Sequence, residues 1–160
     1  METAFCSFSG HRSLPREAAP RLRELLAREI RAQADTGCSG FLCGGALGFD
    51  TLAAETVLSV RSRCPEITLT LALPCPGQHL RWPLAAQRRF NDILEEADEV
   101  VYVSPEYHRY CMLQRNRFLV DHSGLLICYL TQERGGTAYT VSYALKQGIP
   151  VRNLATELDV

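Results

Sequence analysis

No stretch of the 160-residue chain is a continuous apolar run of the roughly 20 residues that a membrane-spanning helix needs, so a bilayer-embedded protein is not expected. The first residues, Met1 to Gly10, carry neither a basic segment nor a signal-type apolar core, and the expected location is cytoplasmic. Positive charge is not in surplus either: 17 Lys and Arg stand against 18 Asp and Glu, for a net charge of −1. Without a basic field, sequence-independent binding to a polyphosphate backbone is disfavoured. Neither a membrane nor nucleic acid is therefore an expected partner. Cysteine is plentiful, at seven, but the patterns that would make it a staple are missing. The number is odd and there is no CxxC. Cys38 and Cys43 lack a second ligand pair, and His108 with Cys111 stands alone. No structural metal is expected, and the cysteines read as small core hydrophobes. Internal repeats, low-complexity tracts and linkers are absent as well.

What is present is a composition 46% hydrophobic and 22% charged, which suits one domain over residues 1–160 with a conventional core. Short apolar runs alternate with stretches of helical period, the pattern of a parallel sheet covered by helices. The runs are Thr3–Ser9, Gly40–Cys43, Thr68–Leu73, Glu99–Val103, Leu125–Leu130 and Val151–Leu154. Between them, Leu22, Leu25, Leu26 and Ile30 mark one helix face; Ala86, Phe90, Ile93, Leu94 and Ala97 a second; Ala138, Val141, Ala144 and Leu145 a third. Shorter helices are expected over Asp50–Val60 and Tyr110–His122. About six strands and five helices in strict alternation predict an α/β fold: a Rossmann-like, open, doubly wound and mainly parallel sheet with helices on both faces.

In such a sheet the ligand crevice lies outside the carboxyl ends of the strands, so the residues just after each strand carry the chemistry. Four of these segments are unusual: Ser9-Gly10-His11-Arg12, Gly44-Gly45-Ala46-Leu47-Gly48-Phe49-Asp50, Pro74-Cys75-Pro76-Gly77-Gln78 and Glu133-Arg134-Gly135-Gly136-Thr137. Glycines at a strand-to-helix turn let backbone N–H groups approach an anion, and the following helix adds its positive end. Neither glycine turn is a GxGxxG or Walker loop. Each alone is ordinary turn chemistry; their convergence on one sheet edge is what points to a shared phosphate site.

Individual side chains admit two readings. Asp50 suits a ribose contact or an N-cap, the latter worth about 0.5–2 kcal/mol. Glu55 is an acid/base candidate or a solvated face residue. His11 and Arg12 project at the crevice mouth, as phosphate ligands or as surface charge. Thr137 suits a helix cap or an anion contact. Trp82, beside Pro83, suits a packing anchor or a base-stacking platform, the anchor being the commoner role. Arg115 and Arg117 fall on a polar helix face and are expected in solvent.

The loops Ser9-Gly10-His11-Arg12 and Gly44 to Asp50 with Ala54-Glu55, then Arg115-Asn116, Asp121 and Gly135-Gly136-Thr137-Ala138-Tyr139-Thr140-Val141, occur in this order along nearly the whole chain. Together they resemble the YpsA-like branch of the SLOG superfamily. The resemblance implies a Rossmann-like domain that binds a nucleotide or nucleotide-derived ligand. It also implies kinship with cytokinin-activating phosphoribohydrolases and with the DNA-processing protein DprA, while YpsA-like members have no established reaction. The phosphoribohydrolase pattern GGxGTxxE, laid on Gly136-Thr137, puts Thr140 where the glutamate belongs, with Tyr139 just before it. A hydroxyl cannot replace that carboxylate in N-glycosidic cleavage.

The expected function is capture of a small phosphorylated nucleotide-type ligand, as a sensor or sequestering protein. Gly10, His11, Arg12, Gly44, Gly45, Gly48, Asp50, Glu55, Gly135, Gly136 and Thr137 form the candidate site. An N-glycosidase with Asp50 or Glu55 as its carboxylate is the alternative, and a DprA-like single-strand binder the third reading. No cofactor is required beyond the ligand. A homodimer or larger homo-oligomer is expected, with an apolar interface near Tyr110–Leu119.

Overall fold

The structure is a computed structural model that describes residues 5–158. Thr3 and Ala4, at the head of the first apolar run, lie outside the described residues, as does the start of the amino-terminal segment. The strands are β1 (Phe5–Gly10), β2 (Gly40–Cys43), β3 (Thr68–Leu73), β4 (Glu99–Tyr102), β5 (Leu125–Tyr129) and β6 (Val151–Asn153). The helices are α1 (Ala19–Asp35), α2 (Phe49–Arg61), α3 (Leu84–Glu96), α4 (Cys111–Asp121) and α5 (Gly136–Lys146). All neighbouring strands pair in parallel, in the order β4-β3-β2-β1-β5-β6.

The apolar runs become strands because both faces of the sheet are covered, which β1 and β5 show by their nearly continuous burial. On one face α1, α2 and α3 pack over the main core, in which Leu22, Leu25, Leu26 and Ile30 of α1 meet Phe8, Phe41 and Val57. On the other, α4 and α5 cover Leu126, Cys128 and Leu42. The chain winds outward from β1 to β4, then crosses back under β3 and β1 through α4 to enter β5 on the other side of β1. Between β1 and β5 the winding direction reverses, and a crevice must open there.

Every cysteine except Cys64 is buried, as small core hydrophobes are; burial pushes the Cys128 thiol up to about 12, away from thiolate chemistry. Among the described residues no helix is long and apolar enough to cross a membrane. Trp82 packs edge-on against Phe90 and His79, the anchor role expected of it. The α5 face differs in part from the expectation. Val141 and Ala144 pack against Leu126 and Cys128 as that face requires, but Leu145 is exposed, and Thr137 and Thr140 are buried in its place. The Tyr110–Leu119 segment turns Cys111 and Leu119 into the sheet, leaving Tyr110, Gln114 and Arg117 outward.

Candidate functional site

A crevice of about 580 Å³ opens between the carboxyl ends of β1 and β5. Its near wall is the segment from Gly10 to Pro15 after β1; its far wall is Thr131, Gln132 and the Gly135-Gly136-Thr137 turn into α5. Asp50, Arg115, Met112 and Asn116 form the floor. The two walls are tied together across 120 positions of sequence: the Thr131 N–H donates to His11 Nε2 at 2.9 Å, while the His11 ring meets Tyr129 edge-on. Burial holds His11 below its ordinary value, consistent with a neutral ring that accepts a bond at Nε2. Behind the far wall, Asn153 accepts from the Leu130 N–H at 3.1 Å and donates to the Leu130 carbonyl at 3.0 Å, fixing the exit of β5.

Gly135 has φ +106° and is the N-cap of α5, with no side-chain cap. The first α5 bond is Tyr139 N–H to the Gly135 carbonyl, so the N–H groups of Gly136, Thr137 and Ala138 have no acceptor within the helix. The same crevice is lined by Arg115, only 5% exposed. It donates from Nη1 to the Gly44 carbonyl and from Nε to Asn116 Oδ1 at 2.9 Å. Asp50, also 5% exposed, accepts from the Ala46 N–H through Oδ2 at 3.2 Å. Its Oδ1 is buried without a partner. Burial pushes the Asp50 carboxyl above the ordinary carboxylate range, opposed by the Arg115 guanidinium. Burial likewise lowers Arg115, opposed by Asp50. The floor is thus a buried cation and a carboxyl with one oxygen unengaged.

A raised folded-state value sets the sign of a pH effect. The stability tied to the neutral carboxyl is complete below the ordinary carboxyl range and is lost as pH rises through the raised value. Asp50→Asn keeps an oxygen for the Ala46 N–H, so its stability relative to the parent is expected to grow as pH climbs from the carboxyl range towards neutrality. Urea unfolding at several pH values checks this, and a pH-independent difference would contradict it.

Of the residues singled out from sequence, Gly10, His11, Arg12, Asp50, Gly135, Gly136 and Thr137 line the crevice. Gly44, Gly45, Gly48 and Glu55 do not. The Gly44–Asp50 turn reaches the right sheet edge, but its glycines serve packing. A Cβ on Gly44 would collide with Arg115, one on Gly48 with the His11 and Arg12 carbonyls, and Gly45, at φ +70°, offers its carbonyl to Gln78. Asp50 is not the N-cap of α2; Gly48 is. Glu55 is drawn away by two bonds from Arg89, at 2.7 and 2.8 Å. Thr137 follows the N-cap and does not supply it.

The residue that sequence reasoning missed is Arg115, expected in solvent. The signal was its place four residues from both Cys111 and Leu119, on the buried stripe of α4. Thr140, at the position of the hydrolase glutamate, donates to the Gly136 carbonyl at 2.9 Å and is fully buried.

The model of the YspA SLOG family matches residues 13–152. A UPF0398 protein of Halalkalibacterium halodurans is 31% identical over 129 residues, covering 79% of this chain and 68% of that protein. One from Shouchella clausii is 32% identical over 127 residues, covering 77% and 68%. Among solved structures, DprA of Streptococcus pneumoniae superposes with a TM-score of 0.65 at 16% identity, over 91% of this chain and 48% of that one. DprA of Helicobacter pylori, described for its single-stranded DNA binding mode, gives 0.65 at 21% identity over 92% and 63%. The chain spans less than two thirds of either DprA, and at these identities the likeness is one of fold.

Proposed function

The chain belongs to the YspA SLOG family, and we propose that it captures a small phosphorylated, nucleotide-derived ligand in the crevice between β1 and β5. The observation that carries this reading is a buried arginine, Arg115, lining the same crevice as the uncapped amino end of α5. A phosphate there would accept from the free N–H groups of the first turn, with Arg12 adding a second guanidinium at the mouth. The unengaged Asp50 Oδ1 would accept a hydroxyl from the rest of the ligand.

Capture without turnover is favoured over N-glycosidic cleavage. Among the described residues Asp50 is the one carboxylate in the lining, Glu55 is committed to arginines elsewhere, and Thr140 is bonded back into its own helix. A DprA-like contact to single strands is a second reading, supported by the shared fold and opposed by the net charge of −1.

The test is calorimetry with nucleoside 5′-monophosphates against the corresponding nucleosides, beside mass spectrometry of any small molecule that co-purifies. Arg12→Ala is expected to lose about 1.5–3 kcal/mol, roughly ten- to over a hundredfold in affinity, with the fold intact. Gly136→Val should abolish binding without strain in the free protein: φ there is not positive, and a Cβ would meet nothing nearer than Asn116 Nδ2 at 4.0 Å. Parental affinity in both variants would move the ligand out of this crevice. Steeply salt-dependent binding to oligonucleotides would favour the second reading.

A further inference from the structure

A second cavity, of about 290 Å³, lies on the reverse side of the Gly10–Pro15 segment, with Pro15 forming part of both walls. Its apolar lining comes from Leu14, Leu47, Leu52 and Ala86, and Arg16, Arg23 and Arg89 line it as well. Among the described residues the one carboxylate bonded to these arginines is Glu55, which takes Arg89 through both oxygens and Arg23 at 3.5 Å. Glu55 therefore competes for two guanidinium groups, contributed by α1 and α3, while balancing the charge of only one.

We propose that this cavity is a second binding site, for a small organic anion with an apolar body, of the aryl or short alkyl carboxylate class. The volume falls just short of the roughly 300–1,000 Å³ range of ligand sites, so the occupant is small. The acid group pairs with Arg23, Arg89 and Arg16; the body rests on Leu14, Leu47 and Leu52. An arginine fork suits a planar carboxylate, and the apolar floor rewards a hydrocarbon body that inorganic phosphate lacks. The site shares no cationic residue with the crevice between β1 and β5, and the proposal stands whether or not a nucleotide binds there.

Two variants are expected to act in opposite directions. Arg89→Gln removes a cationic partner and weakens binding, whereas Glu55→Gln removes the competing carboxylate and tightens it, each by about two- to fivefold, as partly exposed ion pairs are worth. A tightening cannot arise from misfolding, so Glu55→Gln guards against a trivial loss in the other variant. The experiment is a titration of the full chain with sodium benzoate, and with benzyl alcohol as its neutral counterpart, followed by amide resonances in two-dimensional NMR. Benzoate should saturably shift Leu47, Gly48 and Thr51, with benzyl alcohol weaker by roughly tenfold or more. Gly136→Val, which blocks the first crevice, should leave that response unchanged. Shifts confined to Gly135–Thr137, equal responses to benzoate and benzyl alcohol, or no tightening in Glu55→Gln would each overturn the proposal.

Discussion

Arg115→Ala is expected to lower the unfolding free energy by about 3–5 kcal/mol, measured by urea denaturation at neutral pH, and to remove phosphate affinity from the crevice. The guanidinium is buried, and its loss would strip the Gly44 carbonyl of its donor and Asp50 of its cation. It would also open a void between α4 and the turn after β2. Arg115→Lys should recover only part of the loss, since an ammonium cannot span the Gly44 carbonyl and Asn116 Oδ1 as the planar fork does. Combining Arg115→Met with Asp50→Asn should be less damaging than the two single changes added together. Removing both charges leaves no ion uncompensated, and residues in contact are not additive. A change below about 0.5 kcal/mol, as surface positions give, would mean that Arg115 is solvated and would dismantle the floor described above.

Gly48→Ala is the second large effect, and it acts on the site without touching a ligand. Gly48 has φ +73° and ψ −119°, a region that side-chain-bearing residues reach only with strain of about 1–3 kcal/mol. A Cβ there would also overlap the carbonyls of His11 and Arg12. Backbone cannot step aside as a flexible side chain can. The segment must shift, and the bond from the Phe49 N–H to the His11 carbonyl, at 3.0 Å, weakens with it. Arg12 and His11 ride on that segment, so a loss of more than about 3 kcal/mol in stability is expected together with loss of phosphate binding. Gly37→Ala is the control. Its φ of +103° is as unfavourable for a side chain, yet nothing lies within 4 Å of the added carbon. It should cost the backbone strain alone, about 1–3 kcal/mol, and leave the crevice intact. Thermal unfolding and nucleotide calorimetry on both variants separate the two outcomes, and equal losses would contradict the packing role given to Gly48.

The polar residues of α5 and α4 show where periodicity misleads. On α5, Val141 and Ala144 of the expected stripe pack on the core, but Leu145 is exposed and Thr137 and Thr140 are buried. Its first turn faces a polar crevice, so hydroxyls satisfy the buried side better than aliphatics. On α4, the stripe through Cys111 and Leu119 was readable, but the residue between them is arginine, which burial rejects unless carbonyl and carboxyl partners wait for it. Those partners, Gly44 and Asp50, arrive from more than 60 positions upstream. Glu55 is the same case in reverse: its helix position was plain, while Arg23 and Arg89, 32 and 34 positions away, determine which way it turns.

The amino-acid sequence by itself determined the strands, helices and parallel class. Gly40–Cys43 and Thr68–Leu73 match β2 and β3 residue for residue, because apolar period and turn chemistry depend on neighbours within a few positions. It also determined that glycine-bearing loops follow β1, β2 and β5. Tertiary structure alone decided which of those loops keeps its N–H groups free. The order β4-β3-β2-β1-β5-β6 places the turn after β5 beside the segment after β1, so the α5 turn opens onto the crevice. The turn after β2 lies behind that segment and is filled by Arg115, Gln78 and the His11 and Arg12 carbonyls. Free donors are what remains after long-range packing has used the rest, and local sequence carries no account of that competition.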